Sequence, residues 1–326
     1  MMPQAPEESA KAMARFRPRI TPLRAIVVFL ALEWILIVAW HFPYSVDQRS
    51  DDTRLKKVTD FYDQAYQSSA AEIEQVPTEL TLYERVAKAA AEAFRVEDHI
   101  KEFAQRYNLS SKRVLEVGAG RGYLQDVVAD YTALDISPSA RRYFHKPFVR
   151  ASATAMPFPD GTFDAIWTVW VLEHVPGPED ALLEMRRVLK DGSVLFLAPA
   201  WNCTTWAADG YDVRPYGDFD WGGKFIKTSL VLRRSPAFIA AYTYPIRAVR
   251  QTTWRLSNSP MPLRYRRLKP NYSKYWQADS DAVNSIDIAE AHLWFRSRGD
   301  ECLNCDGTRP PFESLIIRIH KPAPPN

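Results

Sequence analysis

The chain has 326 residues, 42 Lys and Arg against 39 Asp and Glu, and a formal net charge of +3. That length holds one large α/β domain with additions or two modest domains, and the near balance of charge argues against a chain that binds nucleic acid over its whole surface. Three cysteines are too few for a disulfide framework; Cys302 and Cys305 form a C-x-x-C, but Cys203 alone does not complete a zinc-ligand set, so the pair reads as half-buried strand cysteines and no metal is expected.

In chain order, residues 1–24 are rich in Pro, Ala and Arg with no apolar period and read as a disordered basic tail. Ala25 to Trp40 is then apolar except for Glu33, and Lys11, Arg15, Arg17, Arg19 and Arg24 precede it. At about 1.5 Å per residue the run spans roughly 24 Å, short of a hydrocarbon core of about 30 Å unless Phe42 to Tyr44 extend it. Its Ile, Leu, Val and Phe residues favour insertion by about 3 to 6 kcal/mol, against a penalty of about 2.5 to 3.5 kcal/mol for the acid. Trp40-His41-Phe42-Pro43-Tyr44 offers no small-x-small cleavage site, so 25–44 is expected to be an uncleaved transmembrane or membrane-anchor helix rather than a signal peptide. Residues 47–110 form a helical extension, because Leu55-Val58-Phe61-Tyr62-Ala65, Leu82-Val86-Ala89-Ala90-Phe94 and Ile100-Phe103-Ala104-Tyr107 recur at helical spacing.

From Lys112 short strands alternate with helices, the pattern of a parallel sheet, and 111–200 reads as the core. Arg113–Val117 is the first strand and Tyr131–Leu134 the second, ending at Asp135. Ala165–Val169 follows the turn Asp160-Gly161. A helix starts at Pro178 and is expected to end at Gly192, with Ser193–Ala198 as the next strand. The 201–280 stretch is too long for a loop. It holds thirteen Lys and Arg, five Asp, no Glu and fifteen aromatics, a mixture suited to sugars, phosphates or a membrane interface, and it reads as an inserted lid that selects the substrate. Residues 281–321 add a helix at Ile286–Arg298 and a hairpin of two strands, Glu301–Asn304 and Ser314–His320, so that six strands of an expected seven are placed.

The chemistry concentrates where the first strand ends. Glu116-Val117-Gly118-Ala119-Gly120-Arg121-Gly122 turns a buried strand into a loop that backbone glycines let a ligand approach closely. The glycines are spaced by two, which disfavours the G-x-G-x-x-G of a dinucleotide fold. The motif resembles motif I, E/D-x-G-x-G-x-G, of the class I S-adenosylmethionine-dependent methyltransferases. Ser152-Ala153-Thr154-Ala155-Met156-Pro157-Phe158-Pro159-Asp160 is similar to the D-A-x-x-L-P-F-x-D of that family, with Ser152 in place of the acid. The Phe163–Pro176 block and Leu189-Lys190-Asp191-Gly192-Ser193 resemble type 11 methyltransferase domains.

The resemblance implies a Rossmann-like seven-stranded α/β sheet with helices on both faces and S-adenosyl-L-methionine as cofactor. It implies contacts from Glu116, Gly118, Ala119, Gly120, Gly122, Asp135, Ile136, Ser152, Ala153 and Thr168, with Asp135 on the ribose hydroxyls, Ile136 against the adenine face and Ser152 a weaker adenine contact than an acid. His174, titrating near neutrality, is the candidate general base, and the same position can also be structural, orienting its loop. The expected activity is O-methylation of a glycan, lipid-linked saccharide or envelope metabolite by a membrane-anchored enzyme whose catalytic domain faces the cytoplasm. A small aromatic or quinone-like acceptor is the second reading, and a membrane-anchored scaffold that lost catalysis, hinted at by Ser152, is a third. Nucleic acid is not an expected partner.

Overall fold

The computed structural model describes residues 21–41, 52–67, 79–272, 275–307, 309–311 and 313–321. All but the last four residues of the tail expected over 1–24 lie outside them. The chain divides into two compact units, Met1–Phe42 and Pro43–Asn326.

In the first unit the apolar run forms helix α1 (Pro22–His41), with Leu23, Ile26, Val27 and Val28 exposed and Glu33 buried. Among the described residues no helix is long and apolar enough to cross a membrane. The transmembrane anchor expected over 25–44 is corrected accordingly to an apolar helix: Glu33 interrupts the run, and Phe42 to Tyr44, needed to lengthen it, lie outside the described residues.

The second unit opens with α2 (Asp52–Ala65), α3 (Glu79–Ala93) and α4 (Val96–Arg106), the helical extension that the spacing predicts. Strands β1 (Val114–Val117), β2 (Tyr131–Asp135), β3 (Phe148–Arg150) and β4 (Phe163–Val169) follow. Next come α5 (Pro178–Val188) and β5 (Leu189–Ala198). The insert contributes α6 (Trp221–Arg233), α7 (Pro236–Ser257) and β6 (Tyr265–Arg267). The chain closes with β7 (Asn284–Ile286), α8 (Ile288–Arg296), β8 (Glu301–Cys302) and β9 (Leu315–Arg318).

Seven strands form one sheet in the order β3-β2-β1-β4-β5-β9-β8. The first five run parallel, and β9 is antiparallel to both β5 and β8. Because side chains alternate along a strand, the sheet feeds two cores. Leu115, Leu195 and Leu197 face one core, with Leu182 and Met185 of α5 and Trp294 and Phe295 of α8. Val114, Val194 and Phe196 face the other, with Phe61 of α2 and Ile100 and Phe103 of α4. The strand order reverses at β1, so a crevice opens beyond the carboxyl ends of β1, β2 and β4, where open α/β sheets bind ligands.

Three local expectations are revised. Helix α5 starts at Pro178 with Glu179 and Asp180 in its first turn, but it ends at Val188, not at Gly192. Leu189 enters the sheet directly by pairing with Phe163, and Gly192 takes φ +74° within β5, where the register with β4 shifts. The helix expected at Ile286–Arg298 is shorter, because Asn284–Ile286 pairs with Tyr265–Arg267 as a two-stranded ribbon before Asp287 caps the helix through the amide of Ala289.

The 201–280 insert packs against α8 through buried charge. Arg247 of α7 meets Asp287 at 2.7 and 2.8 Å, and Arg250 meets Glu290 at 2.9 and 3.0 Å. Glu179 receives the Trp294 indole N–H at 2.7 Å and the Leu263 amide at 3.1 Å. Charges taken out of water persist only when paired and hydrogen-bonded, and the Arg250–Glu290 pair, 5% and 3% exposed, meets that condition.

Candidate active site

The loop after β1 depends on its glycines at two points. Gly118 has φ +74°, and a Cβ there would stand 2.2 Å from Cγ2 of Val171; Gly120 has φ +52°, and its Cβ would lie 3.1 Å from the Tyr66 hydroxyl. Both take the left-handed conformation in places without room for a side chain. The buried carboxylate of Asp135 then pins the loop, one oxygen accepting the Gly120 amide at 2.8 Å and the other the Ser137 amide at 2.9 Å. Burial pushes the Asp135 carboxyl up, and the amides of Ser137, Gly120 and Ile136 pull against it without cancelling it.

Beyond the loop lies a cavity of about 560 Å³. Its floor is Glu116, Gly118, Ala119, Gly120, Asp135, Ile136, Ser152 and Ala153, and its roof is Leu55, Val58 and Tyr62 of α2, Tyr66 just beyond it, and Tyr83, Glu84, Ala87 and Ala91 of α3. Arg121 ties the two: its Nε donates to Glu84 at 2.8 Å in a buried ion pair, and Nη1 donates to the Tyr143 hydroxyl at 2.7 Å. Trp170, after β4, lines the cavity at φ +53°, a conformation that a bulky residue holds only where its surroundings enforce it.

His174 stands on the turn Leu172–His174 at the edge of the cavity. Its Nδ1 lies 3.4 Å from the carbonyl oxygen and 3.7 Å from Oδ2 of Asp281, and its Nε2 lies 3.6 Å from Oε1 of Glu173. Tyr62 donates to the same Asp281 oxygen at 2.7 Å. Burial pushes the imidazole pKa down, while Asp281, Glu173 and Asp279 push it up by more, so it ends above its ordinary value. Burial carries Glu173 up to about 7 despite His174 beside it.

Residues 115–197 match the family model for a methyltransferase domain. A demethylmenaquinone methyltransferase from Renibacterium salmoninarum is 40% identical over 96 residues, covering 27% of this chain and 40% of that protein. A probable phthiotriol/phenolphthiotriol dimycocerosates methyltransferase from Mycobacterium ulcerans is 36% identical over 114 residues, covering 31% and 44%. A ubiquinone biosynthesis O-methyltransferase from Xanthomonas oryzae pv. oryzae is 34% identical over 107 residues, covering 28% and 45%. Over residues 115–197 the chain resembles the methyltransferase domain of class I S-adenosylmethionine-dependent enzymes. It spans less than half the length of each of these relatives.

In this domain Glu116, Gly118, Ala119, Gly120, Asp135, Ile136, Ser152, Ala153 and His174 all line one cavity. Gly122 does not; it turns the loop at φ +72° beside Phe144. Thr168 does not either, being buried within β4 with its hydroxyl lacking a partner among the described residues. The Ser152 hydroxyl closes a turn with the Thr154 hydroxyl at 2.8 Å and the Thr154 amide at 3.2 Å. The larger correction concerns the lid: among the described residues, none of 201–280 lines the cavity, and α2 and α3 form its roof. The insert instead braces that roof, with Tyr272 against Phe61 at 4.8 Å and Trp276 against Tyr83 at 5.7 Å between ring centroids.

Sequence reasoning missed Tyr62, Tyr66, Tyr83 and Asp281. Tyr62 was legible as part of an apolar stripe, yet a buried tyrosine also needs a hydroxyl partner, which was the available signal.

Glu116 gives a pH test. Burial raises its carboxyl to about 8 against the hydrogen bond from Tyr131, so the folded state holds a proton that the unfolded chain releases near 4.5. The stability that this group contributes is complete below about pH 4.5 and is lost as pH rises through about 8. Urea melts of the wild type and Glu116→Gln are expected to diverge across that window, the variant gaining relative to the wild type as pH rises; a pH-independent difference would contradict the assignment.

Proposed function

We propose that this protein transfers a methyl group from S-adenosyl-L-methionine to a hydroxyl of an apolar, quinol-like or lipid-like acceptor bound beneath α2 and α3. The observation that carries this reading is the placement of His174, flanked by Asp281 and Glu173, at the edge of a cavity whose roof is mainly tyrosine and aliphatic side chain, with Glu84 there paired to Arg121, and whose lining also holds Lys88, Glu92, Arg95, Glu97 and Asp98. The named activities of the three relatives, on demethylmenaquinone, on phthiotriol dimycocerosates and in ubiquinone biosynthesis, support an apolar acceptor. The glycan reading drew on the 201–280 insert, none of whose described residues lines the cavity.

The floor of the cavity fits the cofactor. Gly118 and Gly120 leave backbone without side chains there, and the Asp135 carboxylate, with two acceptor sites used by amides, retains lone pairs for a ribose diol. Ile136 and Ala153 offer apolar contact, and Ser152 a hydroxyl held in a turn. When bound, S-adenosyl-L-methionine supplies an electrophilic methyl group.

The chain's own residues orient the acceptor, exclude water and move one proton. Tyr62, Tyr66 and Tyr83 narrow the roof. His174 takes the acceptor's hydroxyl proton, and Asp281 and Glu173 stabilise the imidazolium that results. The intact Asp135 and His174 arrangements weigh against a scaffold that lost catalysis.

An apolar acceptor would be met at a membrane, and we assign that contact to the insert. Residues 221–257 hold seven Lys and Arg and no acid; Arg247 and Arg250 pair with Asp287 and Glu290 and Arg234 with Asp212, so the outward charge rests on Lys224, Lys227, Arg233 and Arg255. Trp221, 88% exposed, shares a helical face with Phe225 on α6, and Tyr244, Val249 and Leu256 are exposed on α7. Such a surface suits the anionic cytoplasmic leaflet.

Two outcomes are expected. With isotopically labelled cofactor and a quinol acceptor, mass spectrometry shows O-methyl product; turnover rises with pH to a plateau whose midpoint lies above the ordinary histidine value, Asp281→Asn lowers that midpoint, and His174→Ala reduces turnover by about 10²-fold or more. Full activity in His174→Ala removes the base. In flotation assays, the protein rises with phosphatidylserine-containing vesicles, and Trp221→Ser/Phe225→Ser loses that binding; equal flotation of wild type and variant contradicts the membrane assignment.

A further inference from the structure

The C-terminal edge of the sheet holds a group of side chains that methyl transfer does not use. Cys302 ends β8 and Cys305 follows in the loop of the β8–β9 hairpin, while His292 stands on α8. A ring nitrogen of His292 and the two sulfurs lie within 4.8 Å of one another, and the sulfurs are joined as a disulfide. The surroundings are largely apolar, for both cysteines pack against the core that contains Trp294, Phe295 and Ile317, with Asn304 Oδ1 3.5 Å from the Cys302 sulfur and the Arg296 charge acting on His292.

His292 supplies a second, independent observation. It is 2% exposed, and its Nδ1 has no hydrogen-bond partner among the described residues. An orphaned polar atom in an apolar core costs about 1–3 kcal/mol, so an imidazole kept beside two sulfurs with one of its nitrogens unpartnered calls for a ligand. Two thiolates and an imidazole are the soft and borderline donors that select Zn²⁺ over Mg²⁺ or Ca²⁺. With Zn–S near 2.3 Å, tetrahedral sulfurs sit about 3.8 Å apart, a spacing that the hairpin can reach once the disulfide opens.

We propose that His292, Cys302 and Cys305 form a redox-gated zinc site, closed to metal as the disulfide and opened by reduction. An external dithiol passes two electrons to the Cys302–Cys305 bond, is itself oxidised to a disulfide, and leaves two thiols on the protein. Zn²⁺ then displaces one proton from each thiol and takes the His292 nitrogen as third ligand, with the fourth position left to water. The half-buried cysteines leave the bond within reach of a reductant. Metal at this site ties α8 to the sheet edge, and α8 carries the Asp287 and Glu290 carboxylates that hold the insert.

The test uses the full chain, oxidised or reduced with a phosphine that is then removed, titrated with Zn²⁺ against a chromophoric chelator. One Zn²⁺ per reduced chain and none per oxidised chain is expected. Cys302→Ser/Cys305→Ser abolishes binding, and His292→Ala weakens it by more than the about 10–100-fold that follows loss of an outer partner. His292→Gln keeps the size of the side chain and is expected to behave as the alanine variant does, covering a failure of that variant to fold. Absence of zinc in the reduced chain, stoichiometric zinc in the oxidised chain or the double variant, or unchanged affinity in both His292 variants would overturn the proposal. None of these readouts depends on methyl transfer.

Discussion

The bond pair from Asp135 to the amides of Gly120 and Ser137 is the constraint on which the site depends. A strand tip and a glycine loop would otherwise be two separate pieces of backbone; one carboxylate with both oxygens engaged makes them a single rigid floor. The desolvation penalty is real, since burial lifts the Asp135 pKa, and three backbone amides offset part of it. From that floor the chain builds upward. Arg121, inside the glycine motif, reaches Glu84 of α3, and the Tyr66 hydroxyl hangs over Gly120, so floor and roof are joined through the loop itself.

The insert adds a second layer of support. Asp281, immediately beyond it, receives the Tyr62 hydroxyl and faces His174, which places one carboxylate between the roof and the candidate base. Tyr272 and Trp276 press on Phe61 and Tyr83 from behind. At the far side Arg247 and Arg250 fix α7 to α8. A stretch that composition marks as a lid thus acts on the cavity indirectly, by holding the helices that do line it, while its own exposed side chains face outward.

Much of this was legible in the sequence because the signals are local. A buried strand, glycines at alternate positions, an acid at the end of the next strand and the Glu173-His174 pair each declare themselves within a dozen residues, and the cavity gathers them. The short edge strand Phe148–Arg150 escaped because three half-exposed residues carry no period. The ribbon of Tyr265–Arg267 with Asn284–Ile286 escaped because only distant pairing makes it a strand. Thr168 was misplaced by position alone: it is on β4, but its side chain is buried away from the crevice. Tyr62 and Asp281 are 219 residues apart, and no spacing rule brings them together. Helix α1 formed where the apolar run predicts it, and among the described residues no helix is long and apolar enough to cross a membrane.

Calorimetric titration of S-adenosyl-L-methionine into the wild type and Asp135→Ala tests whether the Asp135-pinned floor holds the cofactor. The account predicts one bound equivalent in the wild type and affinity lowered at least about tenfold in the variant, the loss expected when a charged hydrogen-bond acceptor is removed. No heat of binding in the wild type, or equal affinity in both proteins, would contradict it.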